Sequence, residues 1–181
     1  MPIRDPTVVD ADRMAGGFRV LLGGGEQLST QKLVLATGRC DRLPEAKGFR
    51  RFFGKGIWSC PLCDGWEYRG QRLAALGYGD AGVELALGLL SWSTDVILLT
   101  DSNGIPSADR ERLRINCVHV NTQPIARFAG ESVLQTIDFA DGTTLERSAL
   151  FFHLGAEQRS PLPKKFGCHE RRHFLDDQTS T

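Results

Sequence analysis

The stretch Arg72 to Thr100, RLAALGYGDAGVELALGLLSWSTDVILLT, leaves a chain little choice of fold. RLAALGYG (Arg72 to Gly79) is a short apolar run ending in glycines and reads as a buried strand. DAGVELALGLLSW (Asp80 to Trp92) carries apolar residues at helical spacing, with Asp80 placed to stabilise the helix amino end. DVILLT (Asp95 to Thr100) is a second apolar strand, bounded by the turn-forming DSNG. Two strands joined through a helix in about thirty residues form a βαβ unit, and its strands must run parallel. The fold class expected is therefore α/β: a Rossmann-like nucleotide-binding domain with a parallel sheet, helices and a β hairpin.

The turn inside that unit, Gly77-Tyr78-Gly79-Asp80-Ala81-Gly82, fits G-x-G-x-x-G. Gly77 permits the tight turn, Gly79 the close approach of a pyrophosphate, and Gly82 close packing of helix on strand. The helix amino end, with Asp80 in it, supplies amide donors and a partial positive charge. A tight turn without a ligand is the plainer alternative. Just past the second strand, Asp101 stands where an acidic residue would hold ribose hydroxyls and repel a 2′-phosphate. It is equally suited to being a turn residue of DSNG. Arg110 and Arg112, on a later helix, are the candidates for an opposing cation.

Upstream lies CPLCDG, with Cys60 and Cys63 two residues apart and Asp64 next. A dithiol at this spacing can close a small disulfide ring and exchange electrons by thiolate attack. Pro61 stiffens the loop, and Asp64 is placed to give or take the proton of a leaving thiol. As half of a zinc site the pair needs two more ligands, and Cys168-His169 with His173 is the cluster on offer. Two small apolar residues in a turn is the remaining reading. Cys117 and His119 read as packing and surface residues, Cys40 as an exposed residue with no partner evident, His153 as a core or interface histidine making a backbone hydrogen bond, and Trp58, Trp66 and Trp92 as packing residues.

The flanks are simpler. FRVLL (Phe18 to Leu22), the turn GGGEQ and KLVLATG (Lys32 to Gly38) read as strand, turn and strand, followed by a polar crossing from Arg39 to Phe53. ADRERLR reads as a solvent-facing helix and CVHVN as a strand. SVLQTIDFADGTTLERSALFFHLG reads as a hairpin turning at Asp141-Gly142 and then an apolar strand. From Glu157 the chain is polar and irregular. Lysine plus arginine number 22 and aspartate plus glutamate 22, a balance that offers no broad attraction to nucleic acid or an anionic membrane. The apolar runs are too short to span a bilayer and the amino end has no signal-peptide core, so a cytoplasmic location is the expectation.

Three strings stand in one order: LATG (Leu35 to Gly38), FFGKGIWSCPLCDGWEYRGQRLAALGYGDAG, and FFHLGA (Phe151 to Ala156). Together they resemble the thioredoxin reductase family of pyridine nucleotide–disulfide oxidoreductases, especially its thioredoxin-reductase-like branch, which includes dithiol oxidases. The resemblance implies FAD in one domain and NADPH or NADH in a second domain inserted into it. It implies catalytic roles for Cys60, Cys63 and Asp64: the second cysteine facing the flavin, the first exchanging with the substrate, the aspartate handling protons. Gly77, Gly79 and Gly82 match the nucleotide turn. A thioredoxin-like protein or a small dithiol or disulfide is the implied partner, and a homodimer is plausible by the same resemblance. The family's opening FAD fingerprint and closing Gly-Asp motif have no match here, and TDSNG replaces its basic NADPH motif. The expectation is a truncated form: residues 1–54 and 151–181 as partial FAD-domain segments around an NAD(P)-binding domain at 55–150.

Overall fold

The computed structural model describes residues 6–171 and 174–176, with only the backbone described at 169–171 and 174–176. It divides into two compact units, one of Met1–Cys40 with Glu157–Thr181 and one of Asp41–Ala156.

In the first unit, β1 (Val8–Met14), β2 (Gly17–Leu22) and β3 (Gln27–Thr30) form an antiparallel sheet in that order. Ala11, Val20 and Leu22 point to one side of it, where Leu162, Leu33, Leu35 and Phe166 close a small core. The second strand of the first zone differs from expectation. Residues 32–38 form no strand, and Gln27–Thr30 pairs with β2 instead, Phe18 opposite Thr30 and Leu21 opposite Gln27. Leu33 and Leu35 turn inward while Val34 is 87% exposed, so the segment keeps strand-like alternation with no strand partner among the described residues. The stretch after Glu157, expected to be irregular, contains the helical turn Leu162–Lys165 and a paired backbone ribbon, His169–Arg171 with Phe174–Asp176.

The second unit opens with β4 (Arg39–Asp41), whose last residue belongs to it, and the helical turn α1 (Phe49–Phe52). It continues through β5 (Ile57–Trp58), α2 (Pro61–Asp64), a 3-10 turn at Gly65–Tyr68, β6 (Leu73–Gly77), α3 (Gly79–Leu89) and β7 (Val96–Leu99). Next come α4 (Ser107–Ile115), β8 (His119–Asn121), β9 (Ile125–Ala129), β10 (Thr136–Phe139), β11 (Thr144–Glu146) and β12 (Ala149–His153). The main sheet runs β5-β12-β6-β7-β8, all parallel, and the expected hairpin extends to a second sheet, β11-β10-β9. At its turn Gly142 takes φ +86°, a conformation open to glycine at little cost.

Burial explains the continuous apolar runs. β6 is buried at every residue because both faces of a parallel sheet are covered. Leu73, Ala75, Leu98 and Phe151 face α3 and α4, meeting Val83, Ala86, Leu89 and Leu113. Ala74, Leu76, Leu99 and Phe152 face the other way, against Phe128, Ile137 and Phe139 of the small sheet. Phe49 and Phe52 complete that second layer; Phe49 meets Phe128 and Phe152 edge-on at centroid distances of 5.5 and 5.0 Å. The crossing Arg39–Phe53 thus contributes core. For that reason the observed boundaries fall at 40/41 and 156/157, where the sequence reading places them at 54/55 and 150/151. β12, assigned there partly to the returning segment, lies inside the main sheet.

Candidate active site

Cys60 follows two residues after β5 and caps α2 from an extended conformation (φ −121°, ψ 102°). Pro61 occupies the first helical position, where its missing N–H and fixed φ cost nothing. The backbone N–H groups of Cys63 and Asp64 both donate to the Cys60 carbonyl at 3.2 Å, and Cys63 N–H also donates to Cys60 Sγ at 3.2 Å. This tight turn holds the two Cα atoms 5.3 Å apart, and the sulfurs are joined as a disulfide. Cys63 is exposed and Cys60 half-buried, with Leu62 between them 86% exposed. Asp64 is half-buried at the end of the turn. The bond also bears on the zinc alternative, since a metal takes free thiolates. Cys168 lies in the other unit, while the His169 side chain and His173 lie outside the described residues.

What anchors the cysteine turn escapes sequence reading. A Cβ on Gly65 would stand 2.5 Å from Trp92 Nε1, so only glycine lets the chain lie against that indole. Trp66, 57% exposed, meets Trp92 edge-on at 6.4 Å, and the Arg69 guanidinium stacks 4.1 Å from the Trp66 ring centroid. Tyr68 packs edge-on against Phe151 of β12 at 6.4 Å. The disulfide turn therefore rides on aromatic contacts with the helix-covered face of the main sheet.

The glycine turn leaves the same edge of that sheet. Trp58 pairs with Phe151, two residues before both Cys60 and His153, and His153 pairs with Gly77; His153 is exposed, not the core histidine expected, because it stands at the end of β12 where the sheet leaves its cover. A Cβ on Gly77 would lie 2.7 Å from Gly82 Cα, and one on Gly82 2.5 Å from the Gly77 carbonyl carbon. The pair must both be glycine for α3 to start so close to β6. Gly79 differs: its φ is +51° and nothing lies within 4 Å of its missing Cβ. No side chain caps α3, and Asp80 is exposed in its first turn. Open space beside uncapped helix amides is what a pyrophosphate requires, so these residues fit a dinucleotide.

Asp101 stands past the carboxyl end of β7 with φ +45°, and its Oδ1 accepts from the Ile125 N–H at 2.7 Å. It thus ties the turn to the start of β9. Burial, and secondarily the charge of Asp101, raise the Tyr78 hydroxyl above its usual pKa. Cys117 and His119 lie at the opposite edge, where β8 begins. Among the described residues no group of three or more His, Cys, Asp or Glu could hold a metal, and no helix is long and apolar enough to cross a membrane.

A parallel sheet whose carboxyl edge carries both a glycine turn and a disulfide defines a class: proteins that couple a dinucleotide-type fold to thiol–disulfide chemistry. The chain belongs to the pyridine nucleotide-disulphide oxidoreductase family, whose sequence model matches residues 3–181. It is thioredoxin reductase-like within that family. It is 30% identical over 175 residues to a "Probable thioredoxin reductase" of Arthroderma benhamiae, covering 83% of this chain and 43% of that protein. It is 25% identical over 163 residues to the thioredoxin reductase of Mycolicibacterium smegmatis, covering 85% and 52%. Among solved structures, HlmI superposes with a TM-score of 0.83 at 31% identity, covering 96% of this chain and 56% of that one. The chain thus spans about half the length of these relatives.

Proposed function

We propose that the Asp41–Ala156 unit is the disulfide-bearing, pyridine-nucleotide-binding part of a disulfide oxidoreductase. The observation that carries this reading is the Cys60–Cys63 disulfide, half-exposed at Cys60, exposed at Cys63 and set at the same sheet edge as the glycine turn. A bound NADH or NADPH supplies the reducing equivalents of the family's chemistry. Gly77, Gly79 and Gly82 would hold its pyrophosphate, together with the first amides of α3.

In the reducing direction the Cys60 thiolate attacks one sulfur of a substrate disulfide. That bond breaks, the first substrate thiolate leaves, and a mixed disulfide with Cys60 forms. The Cys63 thiolate then attacks Cys60 Sγ, closing the ring and releasing the second substrate thiolate. Two electrons pass to the substrate, and the two cysteine protons end on its two thiols. Cys60 suits the attacking role because its Sγ already accepts from the Cys63 N–H, a bond that strengthens when the sulfur is charged. Asp64, next in sequence to Cys63 and half-buried, is assigned the proton transfer. The same steps reversed oxidise a dithiol, so a thioredoxin-like protein and a small dithiol are both substrates this chemistry admits.

The described residues of the first unit hold no dinucleotide turn of their own. The first unit offers an antiparallel sheet, and no parallel strand there leads through a glycine turn into a helix among the described residues. We therefore derive no step through a flavin. A second reading is a dinucleotide-binding part without turnover of its own; calorimetry with NADH, NADPH and FAD separates the two.

The exchange chemistry has a direct test. Reduced chain is mixed with an oxidised thioredoxin-like protein or an oxidised small dithiol, and free thiols are mapped by alkylation and mass spectrometry. Loss of thiols at Cys60 and Cys63, matched by new substrate thiols and abolished in Cys60→Ser, is expected. A pair that stays reduced, or exchange that persists in Cys60→Ser, contradicts the proposal.

A further inference from the structure

We infer that Asp101 makes the nucleotide site of this chain select NADH over NADPH, an inference that rests on the pyridine-nucleotide reading above. In an open parallel sheet a dinucleotide lies across the carboxyl ends of the strands, with its adenosine ribose near the end of the strand after the glycine turn. Here that strand is β7, which pairs with β6 and ends at Leu99; Asp101 is two residues beyond it.

The turn that carries Asp101 is built to hold it. Thr100 is fully buried, and its Oγ1 donates to the Asn103 carbonyl at 2.6 Å. The Asn103 side-chain amide donates back to the carbonyls of Thr100 at 2.9 Å and Asp101 at 3.1 Å. Ser102 N–H donates to the Thr122 carbonyl at 3.0 Å, so two consecutive residues with positive φ, Asp101 and Ser102, are tied on both sides. The Ile125 N–H then fixes one carboxylate oxygen at 2.7 Å. The second oxygen remains an acceptor for a vicinal diol. Tyr78 of the glycine turn is near enough for its hydroxyl to feel the charge of Asp101.

A ribose diol can donate two hydrogen bonds to such a carboxylate. A 2′-phosphate cannot donate in the same way, and it brings like charge against a fixed one. Relief would require a cation at this turn. Residues 100–106, TDSNGIP, contain no lysine or arginine. On α4, Arg112 is paired to Glu84 at 2.7 Å and Arg114 to Glu111 at 2.7 Å. Arg110 lines a hollow with Cys117 and His119 at the beginning of β8, the opposite edge of the sheet. These arginines are committed away from Asp101.

Calorimetric titration of the full chain with NADH and with NADPH tests this without any turnover. NADH is expected to bind at least about tenfold more tightly. Asp101→Asn keeps an oxygen for the Ile125 N–H but loses the charge, and should narrow the gap mainly by tightening NADPH. Ser102→Arg, in a chain that keeps Asp101, should also tighten NADPH while leaving NADH within about twofold. Equal or tighter binding of NADPH by the unaltered chain overturns the inference alone. So does an unchanged ratio in both variants. Binding of neither nucleotide overturns the pyridine-nucleotide reading itself, and the inference with it.

Discussion

Three glycines of one turn carry three different physical demands, and substitution should tell them apart. Alanine at Gly82 would drive its Cβ to 2.5 Å from the Gly77 carbonyl carbon, which is backbone and cannot swing aside. Overpacking of this kind costs about 1–3 kcal/mol. Gly82→Ala is therefore expected to lower the denaturant midpoint visibly. Gly79→Ala meets open space and is strained only by its φ of +51°, for a cost of about 1 kcal/mol. A smaller midpoint shift for Gly79→Ala than for Gly82→Ala is the expected order, and the reverse order would contradict this geometry. The close approach of Gly77 and Gly82 was legible in the sequence because motif and spacing encode it. Gly65 was not: its need for no side chain comes from Trp92, twenty-seven residues away, and only tertiary packing brings the two together. Asp101 was legible as a turn residue and as an acid past a strand, but its tie to Ile125 depends on where β9 starts.

At the scale of elements, the βαβ unit and the hairpin were readable because burial imposes a period on them. The failures have a common cause in pairing. Residues 32–38 alternate inward and outward like a strand, yet pairing depends on a neighbour, and β2 is paired on that side by Gln27–Thr30. Conversely, GFRRFFGKG looks like a polar crossing because its arginines and glycines outnumber its phenylalanines. Two of those rings are buried completely or nearly so, Phe49 fully and Phe52 at 1% exposure, beneath the small sheet. Phe49→Ala removes a ring held edge-on by Phe128 and Phe152 and should cost about 3–5 kcal/mol. Thermal unfolding followed by circular dichroism checks this. A loss under about 1 kcal/mol would mean that α1 is not part of that core.

At the scale of the molecule the chain is two units with different chemistry. The disulfide and the glycine turn lie in Asp41–Ala156, while the first unit is a small sheet closed by Leu162 and by Lys165, which meets both Asp10 and Asp12 at 2.7 Å. The hydrogen bond from Lys165, and then that from the Ala11 N–H, hold Asp10 below the usual carboxylate range. A folded-state pKa below the unfolded one gives stability that is present above the unfolded value and fades as pH falls through the folded one. Acidification should weaken this contact. Asp10→Asn should reduce that acid dependence, Asp12 remaining on Lys165, and leave thiol exchange at Cys60–Cys63 unchanged, which parallel pH-melt and alkylation assays would show. An equal loss of exchange would contradict the assignment of the chemistry to the second unit.

A working redox couple and a structural staple differ in one property of Cys60–Cys63, the potential at which the bond opens. Equilibrating the folded chain in graded thiol–disulfide buffers and counting alkylated Cys60 and Cys63 by mass spectrometry measures it directly. A reversible two-electron transition between about −180 and −300 mV, with the fold retained on both sides, is the result expected of an exchanging pair. A disulfide that stays closed well below about −300 mV, or opens only as the chain unfolds, would contradict it.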